Sequence, residues 1–425
     1  MRPKKLWIIL VITILALLAI GVWDHYKTES SKESSAEKKV VEFKPEDITG
    51  IEIKNPVTTD VPAFVSLKKN EGSWALVSPE NGAADAAVVD TMIKLLADFT
   101  YTKVAGVGEE AFAGYGVSED AARKVSLTKA NGEVIHFWFG GKSPVGYSVY
   151  VRQSLKPNEV LVANQHLLSA TSKTIVDLRS KTILSMDPAN VSSIEFNAMK
   201  LSRTSSGWTI KNSTGDFTAD ASAVDSWLAD LLAIKAAGFT NPSPTDKGLP
   251  KLIFANSKGE VLFSGAGGEV AGKLRIIHTE KGLGYDIDSA SKQVLEKPLA
   301  DFRAKKVLDL PIAELNAFKV NGHSFKKTGE KWEEGANGSV KPTGVDAAAF
   351  VMDLDFARAT GFEKNDKKSS KKPEWTIDLE TSKGEKRKLF VFESKSTENV
   401  NVGTEVQPDL MVVPRKVFEK LASAK

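Results

Sequence analysis

The 425-residue chain contains no cysteine. This absence excludes disulfide bonds, thiolate nucleophiles, cysteine-ligated zinc, iron–sulfur clusters and the lipidated cysteine of a lipoprotein. Histidine is scarce as well, and none of the five histidines lies within metal-ligand spacing of another. The formal net charge is only +3, so no strong positive field indicates a nucleic-acid partner. We therefore expect no metal site, no cofactor and no nucleic acid.

Only one apolar run approaches membrane length, and it covers residues 6–23, behind a basic tip formed by residues 1–5. An 18-residue helix rises roughly 27 Å, close to the roughly 30 Å of a hydrocarbon core. The run therefore predicts a transmembrane helix with the basic tip in the cytoplasm. The side chains expected to anchor it are Arg2, Lys4, Lys5, Trp7 and Trp23.

The same run is also compatible with a secretory signal peptide, because Ala19-Ile20-Gly21 has the small-x-small pattern of a cleavage site. Both interpretations place most of the chain outside the cytoplasm. Residues 24–42, rich in Ser, Lys and Glu, predict a flexible spacer. We expect a single-pass protein of the cell membrane with a cytoplasmic N-terminus and an extracytoplasmic body.

The remainder of the chain repeats one pattern three times. Each copy has a proline-started strand, a lone tryptophan in a polar turn, a helix and a glycine-containing hairpin. The tryptophans are Trp74, Trp208 and Trp332, and the helix patterns cover 84–99, 219–239 and 344–362, with Asp85, Asp220 and Asp346 as N-caps. We predict repeat units at 43–186, 187–310 and 311–425, the third divergent. The fold prediction is α+β: a transmembrane helix, then three repeats, each a mostly antiparallel sheet with one or two packed helices.

The motif "DLRSKTILSM" at 177–186 returns as "DFRAKKVLDL" at 301–310. Both copies lie where one unit ends and the next begins, and no third copy follows the last unit. This placement indicates a structural joint and not a catalytic motif. The charged residues that we expect to connect neighbouring units are Asp177, Arg179, Asp301 and Arg303.

The strand start, the capped helix, "FGGKSPVGYSVYVR" and the joint motif together resemble a bacterial family known as domain of unknown function 4340. The resemblance covers most of residues 43–425, and the third unit departs from it because it lacks the "YVR" strand and the joint motif. The resemblance implies a membrane-anchored extracytoplasmic protein encoded beside a gliding-motility-type ABC transporter. It implies no catalytic residues.

We therefore expect a non-catalytic auxiliary or scaffold subunit of an ABC-type transport system, with the permease and the ATPase as partners and the membrane contacted through the N-terminal helix. The alternatives are a cell-envelope module that binds polysaccharide or peptidoglycan, and a hydrolase with an unrecognised site. One lysine cluster could contact a partner or anionic lipid, and otherwise forms a solvated loop. Its members are Lys367, Lys368, Lys371 and Lys372.

Overall fold

The computed structural model describes residues 38–40, 43–56, 62–144, 146–335, 343–365, 372–405 and 407–424. The chain divides into two compact units, Met1–Lys181 and Thr182–Lys425. Among the described residues, the first unit contains one sheet of ten strands, and the second unit contains sheets of nine and eight strands. Every strand pairing given below is antiparallel.

The first sheet has the strand order β1-β6-β10-β9-β8-β7-β2-β3-β4-β5. Its strands are β1 Lys38–Lys39, β2 Ile48–Lys54, β3 Phe64–Asn70, β4 Ser73–Ser78, β5 Gly82–Ala83, β6 Thr100–Val107, β7 Arg123–Lys129, β8 Val134–Lys142, β9 Ser148–Gln153 and β10 Lys156–Asn164. The helices of this unit are α1 Ala86–Ala97, α2 Gly108–Tyr115, α3 His166–Thr171 and α4 Ile175–Leu178.

The second sheet has the order β14-β13-β12-β11-β16-β17-β18-β19-β15. Its strands are β11 Ser193–Phe196, β12 Met199–Thr204, β13 Gly207–Asn212, β14 Gly215–Thr218, β15 Ala236–Thr240, β16 Lys251–Ala255, β17 Val261–Val270, β18 Lys273–His278 and β19 Leu283–Ile287. Its helices are α5 Ala221–Ala233, α6 Lys292–Leu295 and α7 Leu299–Phe302.

The third sheet has the order β22-β21-β20-β24-β25-β26-β27-β23. Its strands are β20 Leu315–Val320, β21 His323–Thr328, β22 Lys331–Gly335, β23 Gly361–Glu363, β24 Trp375–Thr381, β25 Lys386–Glu393, β26 Asn399–Thr404 and β27 Leu410–Pro414. One α-helix, α8 Ala347–Phe356, and one 3₁₀ helix, Arg415–Ala424, pack against this sheet.

The three sheets share one design, in which alternate residues of the central strands face a core that one helix covers. The helix contributes an apolar stripe at positions i, i+3, i+4 and i+7, as expected for one buried helical face. The stripes consist of Val89, Met92, Ile93 and Leu96 in α1, Val224, Trp227, Leu228 and Leu231 in α5, and Ala347, Phe350, Val351 and Leu354 in α8. The opposite face of the third sheet is open and largely polar, whereas α2 and a separate apolar cluster cover part of that face in the first sheet.

Each covering helix begins at the predicted aspartate. The side chains of Asp85, Asp220 and Asp346 accept hydrogen bonds from first-turn amides, which confirms all three N-caps. The landmark tryptophans of the first two repeats are tied to the same helices. The indole Nε1 of Trp74 donates to Asp90 at 3.0 Å, and that of Trp208 donates to Asp225 at 3.0 Å.

The fold-class prediction is wrong. The part of the chain that the structure describes contains 27 strands but only eight α-helices, so it is mostly antiparallel sheet. Its longest α-helix has 13 residues, and no helix in the described ranges is long and apolar enough to cross a membrane. Residues 6–23, for which the sequence predicts a transmembrane helix, and all five predicted anchor residues lie outside the described residues.

The helix patterns at 219–239 and 344–362 are also too long, for a physical reason. The helices end at Ala233 and Phe356, and the residues that follow form β15 and β23. β15 pairs with β19, and β23 pairs with β27, so long-range backbone hydrogen bonds override the local helical pattern. Lys38–Lys39 of the predicted spacer belong to the first sheet as β1. The third repeat does have strands where the "YVR" sequence is missing, namely β26 and β27.

Candidate functional site

The second copy of the joint motif is an extended segment that pairs with two repeats of the second unit. It leaves α7 at Phe302, whose carbonyl accepts from the Asp220 amide at 2.8 Å in the second repeat. A few residues later, the Ala359 amide of the third repeat donates to Lys305 at 2.7 Å. Since both bonds involve backbone groups, the segment fixes the register of the two repeats whatever its side chains are.

Arg303 contacts both repeats at this joint and holds them together. Its side chain is 2% exposed. Nη1 donates to Oδ2 of Asp409 at 2.8 Å, and Nη2 donates to Oε1 of Gln407 at 3.1 Å. Two aromatic rings enclose the planar guanidinium: Phe217 of the second repeat with its centroid at 4.2 Å, and Phe362 of the third at 3.7 Å. Burial lowers the pKa of Arg303, and the Asp409 carboxylate opposes this effect.

A close backbone approach lies beside Arg303. Gly215 has φ +148°, and a Cβ at this position would lie 2.9 Å from Cγ of Pro408. Any larger residue would therefore meet both unfavourable backbone geometry and the third repeat. The contact shows why the turn between β13 and β14 needs glycine where the two repeats meet.

The other predicted joint residues have different positions. Asp177 forms a capping box with Thr174 at the start of α4, and the hydrogen bond from the Thr174 amide lowers the pKa of this carboxyl. Arg179 forms an ion pair with Glu80 at 2.8 Å inside the first unit. Asp301 is exposed and forms no ion pair with the described residues. The four residues thus form no common cluster.

Of the predicted lysine cluster, Lys372 is exposed. Lys367, Lys368 and Lys371 lie outside the described residues. The prediction that this cluster contacts a partner or lipid stays a prediction.

A groove of about 610 Å³ lies on the open face of the third sheet. We call it the basic groove and define it by Lys319, Lys326, Asp378, Glu380, Lys386 and Lys388. These residues alternate along β20, β21, β24 and β25 with side chains of the core, so they face away from α8. Two ion pairs cross it: Lys388–Asp378 at 3.1 Å and Lys386–Glu380 at 3.7 Å. Lys319 and Lys326 have no ion-pair partner among the described residues.

A smaller cavity of about 100 Å³ lies where the joint meets the third sheet. We call it the joint pocket and define it by Thr218, Lys306, Arg387, Lys388, Glu405 and Gln407. Arg387, Lys388 and Glu405 also line the basic groove, so the two cavities share one wall. Gln407 connects the pocket to the joint, because its side chain accepts the hydrogen bond from Arg303.

Sequence reasoning missed the groove and the pocket. The residues that line the groove come from four strands, and only the order of the strands in the sheet shows that these strands are neighbours. Gly141-Lys142-Ser143 resembles the end of a phosphate-binding loop, but Lys142 ends strand β8, not a strand-to-helix turn. The described residues contain no group of three His, Asp or Glu arranged to hold a metal ion.

Three aromatic residues near one hairpin of the first repeat, Trp138, Tyr147 and Tyr150, do not form a common surface. Trp138 is buried, with Arg152 over its ring at 4.0 Å, and its Nε1 donates to Glu119. Tyr150 packs on Tyr115 at 4.4 Å between ring centroids. Tyr147 is exposed. The three rings therefore offer no shared surface to a ligand.

His278 occupies an inward position of β18 that other repeats fill with uncharged polar residues. The cross-strand registers place Gln153 of the first repeat and Thr404 of the third at the corresponding position. The imidazole packs edge-on to Phe263, and its Nδ1 has no hydrogen-bond partner among the described residues. Burial, reinforced by the charge of Lys281, lowers the pKa of His278.

This histidine should make stability depend on pH. Below about pH 6.5 the unfolded chain protonates His278, whereas the folded chain resists protonation. The unfolded state then binds more protons, so the free energy of unfolding falls as the pH falls from about 6.5 through the lowered folded pKa. His278→Gln, which introduces the residue of the first repeat, should reduce the loss of stability between pH 7.5 and 5.5. Urea midpoints at the two pH values measure it.

The matched control is His166→Gln, which removes an exposed histidine. It should leave the pH dependence of the urea midpoint unchanged. Equal dependence in the two variants would show that His278 does not control it.

Comparison with known proteins adds one match. The model of the family described as Domain of unknown function (DUF4340) matches residues 74–250 and again 208–376. Each match begins at a landmark tryptophan, passes one copy of the joint motif and ends in the following repeat. The two overlapping matches confirm the tandem repetition. No curated protein and no solved structure matches the chain.

Proposed function

We propose that this chain, which belongs to the family described as Domain of unknown function (DUF4340), is a non-catalytic scaffold that acts as an auxiliary subunit of an ABC-type transport system. Its repeats would work outside the cytoplasm at the cell membrane, with the permease and the ATPase as partners. It would dock to the permease or to exported material without turnover of its own.

The buried joint is the observation that carries this proposal. Arg303 is held by Asp409, Gln407 and two rings from different repeats, so two copies of one sheet are fixed to each other and not merely tethered. Fixed copies present their outer surfaces in a constant arrangement, which a docking subunit needs in order to meet a partner with low entropic cost. This supports scaffolding in general, and the transport partner is the specific part of the proposal.

Co-purification tests that part. The tagged full-length protein is purified from its native membrane in mild detergent, and the accompanying proteins are identified by mass spectrometry. We expect an ATPase and a multi-span permease to be enriched over an unrelated tagged membrane protein from the same cells. If several detergents yield neither protein, the transport proposal falls.

A second candidate function is a cell-envelope module that binds polysaccharide or peptidoglycan. One specific observation favours it, namely the basic groove, in which Lys319 and Lys326 form no ion pair with any residue that the structure describes. Enrichment of envelope polymer without an ATPase or a permease in the same purification would support this function.

A further inference from the structure

We infer that the basic groove and the joint pocket together form a binding site for an acidic polysaccharide, with Lys319 and Lys326 contacting the anionic groups of the sugar chain. The inference rests on the second proposed function. It can fail while the transport proposal stands, because co-purification does not measure it.

The first argument is the placement of the unpaired cations. Lys319 on β20 is directly opposite Ser324 on β21, and Lys326 follows Ser324 two residues later on β21. The two lysines are therefore diagonal cross-strand neighbours, with Cα atoms roughly 7–8 Å apart on one face. Each lysine also has a carboxylate directly opposite on its other neighbouring strand, Asp378 for Lys319 and Glu333 for Lys326. Neither lysine forms an ion pair with these or other described residues, so both ammonium groups are available to an anionic ligand.

The second argument comes from comparison among the repeats. The strand registers place Lys319 at the position that Glu52 occupies in the first repeat and Glu195 in the second. The charge at the centre of the open face is thus reversed only in the third repeat. The reversal comes with a carboxylate, Asp378, directly opposite Lys319, and it gives the centre of this face a cation that the other two repeats lack there.

The third argument concerns the carboxylates. Asp378 and Glu380 lie beside the lysines, and Glu405 lies where the groove meets the joint pocket. Carboxylates accept hydrogen bonds from hydroxyl groups, and lysine and arginine bind anionic groups. A ligand that matches both carries many hydroxyls and regularly spaced negative charges, as a chain of uronic acids does. A polyphosphate without hydroxyl groups would offer these carboxylates no hydrogen-bond donor.

The fourth argument is continuity. Arg387 and Lys388 line both cavities at the start of β25, so a chain lying across β21, β20, β24 and β25 would continue around the end of this strand towards the joint pocket. Lys306 at the far side of the pocket forms an ion pair with Asp355 at 3.7 Å. The bound chain would thus end against the segment that connects the second and third repeats.

The test is a calorimetric titration of the full-length protein, in nonionic detergent, with polygalacturonate oligosaccharides. The variant is Lys319→Glu with Lys326→Ser, because Glu195 and Ser202 of the second repeat stand at these positions and the sheet design tolerates them. We expect binding by the wild type and at least about tenfold weaker binding by the variant, since one charge-assisted hydrogen bond contributes on the order of tenfold in affinity.

The matched control is Lys416→Glu with Lys420→Ser, which changes the same charge at exposed positions of the terminal 3₁₀ helix of this repeat. This variant should bind like the wild type, and amylose oligosaccharides of equal length should not bind. Equal loss in both variants, equal affinity for amylose, or no binding by the wild type would each overturn the site. Tighter binding of polyphosphate than of polygalacturonate would overturn the class of ligand.

Discussion

Replacement of Arg303 by methionine is expected to destabilise the joint of the second unit by about 3–5 kcal/mol, the usual cost of removing one partner from a buried ion pair. Asp409 would keep its charge, with 19% of its side chain exposed and without the cation at 2.8 Å that now neutralises it. Methionine retains an aliphatic side chain between Phe217 and Phe362. The loss of stability should therefore come mainly from the uncompensated charge and the missing hydrogen bonds, and less from a cavity.

Hydrogen exchange measures this effect where it occurs. Peptides that cover residues 299–310 and 407–414 should exchange about 100-fold faster or more in Arg303→Met, because 3 kcal/mol corresponds to a factor of that order. Peptides of α1 in the first unit should exchange at the wild-type rate. Adding Asp409→Asn removes the uncompensated charge, so the double variant should recover part of the protection.

Arg179→Met is the matched control, because Arg179 has the same place in the other copy of the motif. Its partner Glu80 is 46% exposed, so removal of Arg179 leaves a carboxylate that water can solvate, and the loss of stability should be smaller than at Arg303. If Arg179→Met and Arg303→Met accelerated exchange around their own copies of the motif equally, burial of Arg303 would not be what strengthens the second joint.

These two arginines also show how far the sequence could take the prediction. Repetition of the motif was enough to place a joint at 301–310 and to pick out Arg303. It could not identify Asp409, Gln407 or Phe362 as the partners of Arg303. Asp409 and Gln407 lie 106 and 104 residues further along the chain, and none of the three belongs to a repeated motif. It also could not show that Arg179 and Arg303 have different partners. The same residue of a repeated motif contacts different side chains when the surrounding segments differ in sequence.

The errors in secondary structure have a similar origin. "AVDSWLADLLAIKAAGF" continues a helical pattern to Phe239, and nothing local stops it. The helix ends at Ala233 because Ala236–Thr240 completes the sheet against β19, a strand more than forty residues later. N-caps, by contrast, depend on neighbours within three residues, and all three were predictable. The basic groove required the order of four strands and was therefore beyond sequence reasoning.

The proposed scaffold and the proposed polysaccharide site depend on the same segment of chain. Arg303 fixes Gln407, and Gln407 lines the joint pocket together with Glu405. A loosened joint should therefore also alter the groove at this end. Arg303→Met would then weaken polygalacturonate binding although Arg303 does not line either cavity.

The second large effect is expected at Trp227, the central residue of the apolar stripe of α5. Its ring centroid lies 4.8 Å from that of Phe196 and 4.9 Å from that of Phe302, and its Nε1 donates to the Val294 carbonyl at 2.8 Å. Trp227→Ala should lower the free energy of unfolding of the second unit by about 3–5 kcal/mol, since a buried aromatic ring is lost and a cavity remains. Urea unfolding followed by the remaining tryptophans measures the loss.

Trp227→Phe separates packing from hydrogen bonding. The third repeat has Phe350 at the corresponding stripe position, so a phenyl ring suits this design of helix and sheet. The variant keeps an aromatic contact with Phe302 but leaves the Val294 carbonyl without its donor, which should cost about 1–3 kcal/mol. Because Phe302 immediately precedes Arg303, Trp227→Ala should also speed hydrogen exchange at residues 303–308, whereas Trp227→Phe should do so much less. Equal stability of the two variants would mean that the ring contributes nothing beyond its hydrogen bond. Equal exchange rates at residues 303–308 in the two variants would mean that ring packing at this position does not support the joint.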